Sequence, residues 1–315
     1  MKGALIINKP AGITSHDVIY RLRKLPQLQG VKLGHSGTLD PFATGVLLVL
    51  IGNAVRLQDE LHLLPKTYHA EITLGANTDT DDATGQRLTS PNPSFVRRGI
   101  RRRFLPLPEG ELEGVGAAST PSQAQILAAL DRIKHQTTQI PPNYSAIKIK
   151  GKKMYELARK GELVEQKPRN IKIHDIILEN YSYPTLTILV TCSTGTYIRS
   201  IARDIGSMVN TGGYCSQLQR TTIGNFHIEH AHEIQSLPEN INSVLIPLEQ
   251  LTEHLPSISF SDSNVAKLKN GREVEMTKNI PINTPIRLLD RNNHVFGIGI
   301  RQSESPFIKS KKIFL

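Results

Sequence analysis

The chain has 315 residues, 38% of them apolar before its 23 glycines are counted, so it can bury a core and is not globally disordered. Thirty-eight Lys and Arg against 28 Asp and Glu leave a net charge of +10. That excess favours a polyanionic partner through counterion release, although a basic protein with no nucleic-acid role carries the same charge.

No apolar run reaches the ~18 residues of a membrane span, so no membrane partner is expected. The first ten residues hold too short an apolar stretch for a signal peptide, which makes the cytoplasm the expected compartment. Cys192 and Cys215 are the only cysteines, too few for a disulfide framework or a four-thiolate zinc site. At ~100–200 residues per domain, the length fits one large domain or two unequal ones.

In chain order, residues 3–8 read as a short buried strand closed by Lys9-Pro10-Ala11-Gly12. Thr14 or Ser15 can cap a helix from about 15 to 25 with Val18, Ile19, Leu22 and Leu25 on one face. A glycine-rich loop follows through Pro41, then a strand over Val46–Ile51 that is apolar on both faces. Alternation at Tyr68, Ala70, Ile72 and Leu74 predicts another strand. Residues 90–120 hold several prolines and the basic run Arg97 to Arg103, which reads as an insertion, either a solvated loop or an RNA-facing arm.

Ser122 caps a predicted helix with Ile126, Leu127, Leu130 and Ile133 inward. Lys153 to Lys160 reads as a short helix stopped by Gly161. Strands are expected near 171–178 and 185–192, and a helix from Ile198 to Val209. This mixture lacks a regular βαβ rhythm, so the fold class is α+β with a mixed sheet. A proline-bearing linker near 237–256 then separates a small, mostly β C-terminal unit. The expected division is 1–250, with the insertion, and 251–315.

Several common chemistries fail on inspection. Gln302 stands where a dinucleotide loop beginning at Gly297 needs glycine, and Gly151-Lys152-Lys153 lacks the spacing of a phosphate loop. Asp82 stands where a calcium loop over Asn77–Leu88 needs glycine, and His35, His62 and His69 have no zinc spacing. Neither a metal nor a dissociable cofactor is expected. The segment Gly34-His35-Ser36-Gly37-Thr38-Leu39-Asp40-Pro41 is, taken alone, a flexible turn whose carboxylate can simply hydrogen-bond its own backbone.

Its neighbours in sequence change that reading. Asn8-Lys9-Pro10-Ala11-Gly12-Ile13-Thr14-Ser15, the Asp40 loop through Leu47, Lys66-Thr67-Tyr68, Leu74 to Gly85, Pro142 to Lys148, Cys192 to Ser200, and Leu218-Gln219-Arg220-Thr221 occur in order. Together they resemble the bacterial tRNA pseudouridine synthase B family. The sequence departs from the family at Asn8, where Asp is common, and in the length of the 90–120 stretch.

The resemblance implies a pseudouridine synthase catalytic domain followed by a PUA-like RNA-binding domain. It implies isomerisation of the T-loop uridine at position 55 of tRNA, with no cofactor and no guide RNA. The implied partner is the tRNA T stem–loop, with a monomer as the expected state. Asp40 would be the essential carboxylate, attacking C1′ of the ribose or C6 of the base, or stabilising charge. Arg199 would be its ion-pair partner and keep it ionised, rather than an ordinary surface arginine at a helix start.

Tyr68 would stack on the uracil and move a proton, and Tyr197 would pack in the same pocket. Leu218 would supply an apolar wall or be an ordinary core leucine. His35 would occupy the space left by the flipped base or be satisfied in its own turn. Lys9 would position the loop or contact phosphate. Two rivals are the catalytic subunit of a guide-RNA-dependent particle, whose chains usually extend further before the first motif, and a non-catalytic tRNA-folding chaperone.

Overall fold

The computed structural model describes residues 1–88, 120–145, 148–149, 152–154, 166–276, 280–301 and 304–314. The basic insertion lies outside these apart from its last residue, and so does most of the helix expected over Lys153 to Lys160, whose first residue belongs to the two-residue strand Lys152–Lys153. The chain forms two compact units: Met1–Pro41 with Val46–Leu64 and Ile228–Leu315, and Phe42–Gly45 with Pro65–His227.

The first unit begins with β1 (Gly3–Lys9), whose apolar run is buried almost throughout. Thr14 opens α1 (Ser15–Leu22) with a reciprocal capping box: its hydroxyl accepts from the Asp17 N–H, and the Asp17 carboxylate accepts from the Thr14 N–H. The helix stops three residues before the expected end, because Leu25 precedes Pro26 and takes extended backbone angles. Val18, Ile19 and Leu22 face a core shared with Leu5 and Ile7 of β1 and with Leu47, Val49 and Ile51.

Those last residues belong to β3 (Thr44–Ile51), which lies between β1 and β2 (Leu33–Ser36). Gly34, His35 and Ser36 were expected in a turn; instead they form antiparallel pairs with Leu50, Val49 and Leu48. The very apolar β3 recruits a partner strand of weak intrinsic propensity, as packing commonly does. A short helix α2 (Gln58–His62) follows.

The second unit is built on β4 (Lys66–Leu74), α3 (Gln123–Lys134), β5 (Ile173–Ser182), β6 (Thr185–Cys192), α4 (Ile198–Met208) and β7 (Gly213–Ile223). Its strands run β7-β4-β6-β5, each antiparallel to the next. Leu186, Ile188, Val190 and Cys192 alternate along β6 and are buried. The helix α4 packs on β7 and β4, and α3 on β5. In α3 the buried set is Ile126, Ala129, Leu130 and Ile133, while Leu127 is 49% exposed, which corrects the inward placement expected for it. The set follows i, i+3, i+4, i+7, and Leu127 falls about 100° off that stripe.

The remainder of the first unit starts at Ile228. The stretch read as a linker is packed: Ile241 is buried in the N-terminal core, with Ile234, Leu237, Val244 and Leu245 against it. Beyond it lie β8 (Ser257–Ser259), α5 (Asp262–Lys269), β9 (Val274–Glu275), β10 (Pro285–Leu289), β11 (Val295–Ile300) and β12 (Phe307–Ile313). They form a five-stranded sheet ordered β8-β10-β11-β12-β9, parallel only between β8 and β10. Its own core gathers Ile258, Phe260, Leu268, Ile286, Leu288 and Ile308.

The end of this sheet is tied to the N-terminal part of the same unit. Lys312, from β12, donates to both carboxylate oxygens of the buried Glu60 at 2.9 and 2.8 Å and to Asp59 at 3.1 Å. Arg56 donates to the Ile313 carbonyl and Lys2 to that of Phe314. Mixed, largely antiparallel sheets with helices packed on them make the protein α+β.

Candidate active site

In the first unit, Lys9 sits at the end of β1 with no solvent exposure. Its ammonium donates to the carbonyls of Pro10 and Ile13 at 2.8 Å and of Pro41 at 3.2 Å. Three acceptors match the three donors of a lysine, which a buried ammonium requires. The Gly12 N–H also donates to the Pro41 carbonyl. On the other side of Asp40, the buried Ser15 hydroxyl accepts from the Leu39 N–H at 2.9 Å and donates to the Leu39 carbonyl at 3.3 Å. Both neighbours of the half-buried Asp40 are therefore held by groups from β1 and α1. Gly37 makes the turn out of β2 with a left-handed φ of +89°, and His35 stands half-buried in β2.

In the second unit, Tyr68 lies on β4 between Val190 of β6 and Arg220 of β7, and is half-buried. Leu218 is buried two residues before Arg220. Thr44 and Gly45, which start β3 in this unit, pair in parallel with Gln219 and Arg220. A Cβ on Gly45 would stand 2.2 Å from the Arg220 carbonyl oxygen, so only glycine lets the two backbones approach.

The strand also carries Lys66, 3% exposed, opposite Cys192. Burial, with the Arg220 charge, pushes the Lys66 ammonium down to about 8, and burial pushes the Cys192 thiol up to about 12.

Tyr197 occupies the N-cap of α4, and both its backbone groups are hydrogen-bonded to the Gln139 side chain, at 2.9 and 3.1 Å. Two residues on, Arg199 is 4% exposed, so it is no surface arginine. Its guanidinium donates to the Thr80 carbonyl at 2.9 Å and the Tyr144 carbonyl at 3.1 Å, and its Nη1 lies 3.4 Å from Oδ2 of the buried Asp82. The other oxygen of Asp82 accepts from the Thr80 hydroxyl, the Thr84 N–H and the Thr84 hydroxyl at 2.6–2.9 Å. A buried ion pair holds only when the remaining lone pairs are satisfied in this way.

The structure thus brings Lys9 to the Asp40 loop in one unit, and gathers Arg199 with the Thr80–Thr84 loop in the other. Asp82 was not anticipated as a partner of Arg199. The available signal was local: an Asp with Thr two residues before and two after can saturate one oxygen inside its own turn. Among the described residues, no group of three or more His, Cys, Asp or Glu side chains could hold a metal ion. No helix among them is long and apolar enough to cross a membrane.

The fold is shared with chains from solved protein and RNA–protein complexes. A chain of a Cbf5-Nop10-Gar1 complex superposes with a TM-score of 0.72 at 22% identity, covering 99% of this chain and 85% of that one. A chain of an H/ACA RNP bound to a substrate RNA containing 2′-deoxyuridine gives 0.68 at 21%, with the same coverage. At the level of sequence, the family model described as TruB family pseudouridylate synthase (N terminal domain) matches residues 23–113 and 108–198.

Curated relatives extend the match over nearly the whole chain. The tRNA pseudouridine synthase B of Dehalococcoides mccartyi is 36% identical over 283 residues, covering 88% of this chain and 85% of the relative. That of Clostridium kluyveri is 35% identical over 307 residues, 96% of each. That of Bacillus cytotoxicus is 34% identical over 328 aligned positions, covering 100% and 98%. The chain belongs to the TruB family of pseudouridylate synthases, and is an isomerase.

Proposed function

We propose that this chain converts the T-loop uridine at position 55 of tRNA to pseudouridine, acting alone. The observation that carries the reading is the near full-length match, at 34–36% identity, to relatives named tRNA pseudouridine synthase B. The likeness to chains of an H/ACA RNP and of a Cbf5-Nop10-Gar1 complex, at 21–22% identity, speaks to the fold alone. The larger identity to the tRNA pseudouridine synthase B relatives supports the reading without a guide. The net charge of +10 supports a polyanionic substrate, and we assign residues 251–315, which carry a separate core, to RNA binding as a PUA-like domain.

The reaction breaks the C1′–N1 bond and forms C1′–C5; N1 gains a proton and C5 gives one up, so neither water nor redox change is consumed. Asp40 supplies the carboxylate that acts on the glycosidic bond, and the clamps on Leu39 and Pro41 hold its backbone. Arg199 supplies the guanidinium that keeps a carboxylate ionised in a pocket closed to water. Tyr68 stacks on the uracil and passes the proton, with Tyr197 beside it and Leu218 as an apolar wall. The target is flipped out of its stack at a cost of roughly a few kcal/mol, and His35 occupies the space it leaves.

The test is to incubate the purified chain alone with an unmodified T stem–loop and to map pseudouridine. Product at the T-loop uridine supports the reading. Product that appears only when a guide RNA is added assigns the chain to the guide-dependent class instead.

A further inference from the structure

Arg203 lies one turn after Arg199 on α4, so both side chains leave the same face of the helix. They grip the same two segments. Arg199 reaches the Thr80 carbonyl and Asp82 on one side and the Tyr144 carbonyl on the other. Arg203 reaches Asp81 Oδ2 at 2.8 Å on one side and the Ile140 carbonyl at 3.0 Å on the other, while Asp204 accepts from its Nε and Nη2 groups at 3.0–3.1 Å. Asp81 and Asp82 are consecutive, and Asp81 holds a left-handed φ of +60°, a conformation Asp adopts more readily than most residues with a side chain. The Asp81 carbonyl accepts from the Cys215 N–H of β7, and its N–H donates to the Thr78 carbonyl.

We infer that Asp81 and Arg203 are a positioning pair: they fix the Thr80–Asp82 loop against α4, so that the Arg199 guanidinium is delivered in one orientation to the reaction. This rests on the reading that Arg199 serves catalysis. Asp81 sits between the two residues that Arg199 contacts, Thr80 and Asp82, so any movement of Asp81 shifts both at once. Burial pushes the Asp81 carboxyl up to about 6 despite Arg203 and Arg199 beside it, so an ionised carboxylate here is costly to the fold.

The experiment compares Asp81→Asn, Arg203→Gln, Arg203→Lys and the Asp81→Asn/Arg203→Gln double variant of the full chain on an unmodified tRNA transcript. Each single removal lowers kcat about tenfold, the scale of a sub-ångström misplacement, with KM within about twofold of the wild type. Arg203→Lys recovers part of the rate, and the double variant is no slower than the slower single. Arg203→Gln, which leaves the Asp81 carboxylate without its partner, melts lower than Asp81→Asn, yet the two lose rate alike. A wild-type rate in Arg203→Gln, a loss that tracks falling melting temperature, or additive losses in the double variant overturn the inference. Arg199→Lys is assayed alongside. If it is fully active, the reading of Arg199 fails and this inference with it; if it is inactive while Arg203→Gln is unimpaired, the inference alone fails.

Discussion

Neither neighbour of Asp40 can move without breaking a buried hydrogen bond, so the loop is stiff where the carboxylate stands. Asp40→Asn is isosteric and leaves those clamps in place, and is expected to abolish pseudouridine formation with RNA affinity and melting temperature unchanged; substantial residual product sinks the assigned role. Arg199→Lys is expected to lose two or more orders of magnitude in rate, because a point charge cannot serve Thr80, Tyr144 and Asp82 as a planar fork does. Lys66 gives a third test. Its ammonium is lowered to about 8 in the folded protein from an ordinary 10.5. Between those values the unfolded chain binds more protons at this group, so the Lys66 contribution to stability rises with pH across that window, against the opposite slope of the raised Cys192 thiol. Unfolding midpoints measured across that window should have a less positive pH slope in Lys66→Met than in the wild type; an equal slope contradicts the shift.

At the element scale, α4 runs so close to the start of β7 that Gly206 has no room for a side chain. An added Cβ would stand 2.2 Å from backbone atoms of Gly212 and Gly213. Gly206→Ala is expected to cost about 1–3 kcal/mol, read as a lower urea midpoint at constant slope, since backbone rather than a flexible side chain must yield. Most elements of this unit were legible from periodicity: the alternation at Leu186, Ile188 and Val190 is unambiguous, and the Ile198 helix has a clear apolar face. Two strands, one in each unit, were not. β2 holds Gly34, His35 and Ser36, residues that read as turn and become strand only through pairing with β3. β7 buries Arg220 in the middle of the sheet among polar residues that are only partly covered, so it shows too little alternation to be seen. The motif residues of the candidate site were legible by resemblance, whereas the Asp82 partnership was not, because it joins segments more than a hundred residues apart.

For the whole molecule, the net charge of +10 makes ionic strength the simplest probe. The logarithm of tRNA affinity should fall linearly with the logarithm of salt concentration, as displaced counterions require, and a flat response would contradict an electrostatic footprint. The C-terminal sheet is harder to test by deletion than its separate core suggests. Lys312 of β12 meets the buried Glu60 on a helix made early in the chain, and Arg56 and Lys2 bind the carbonyls of Ile313 and Phe314. On a ribosome these contacts wait for β12, long after Glu60 has been made. A message cut short before β12 therefore yields a chain that keeps every motif of the candidate site yet strands an acidic side chain in its interior. The acid made at position 60 is thus matched by a base made 252 residues later, and the first unit closes around Glu60 only once both are present.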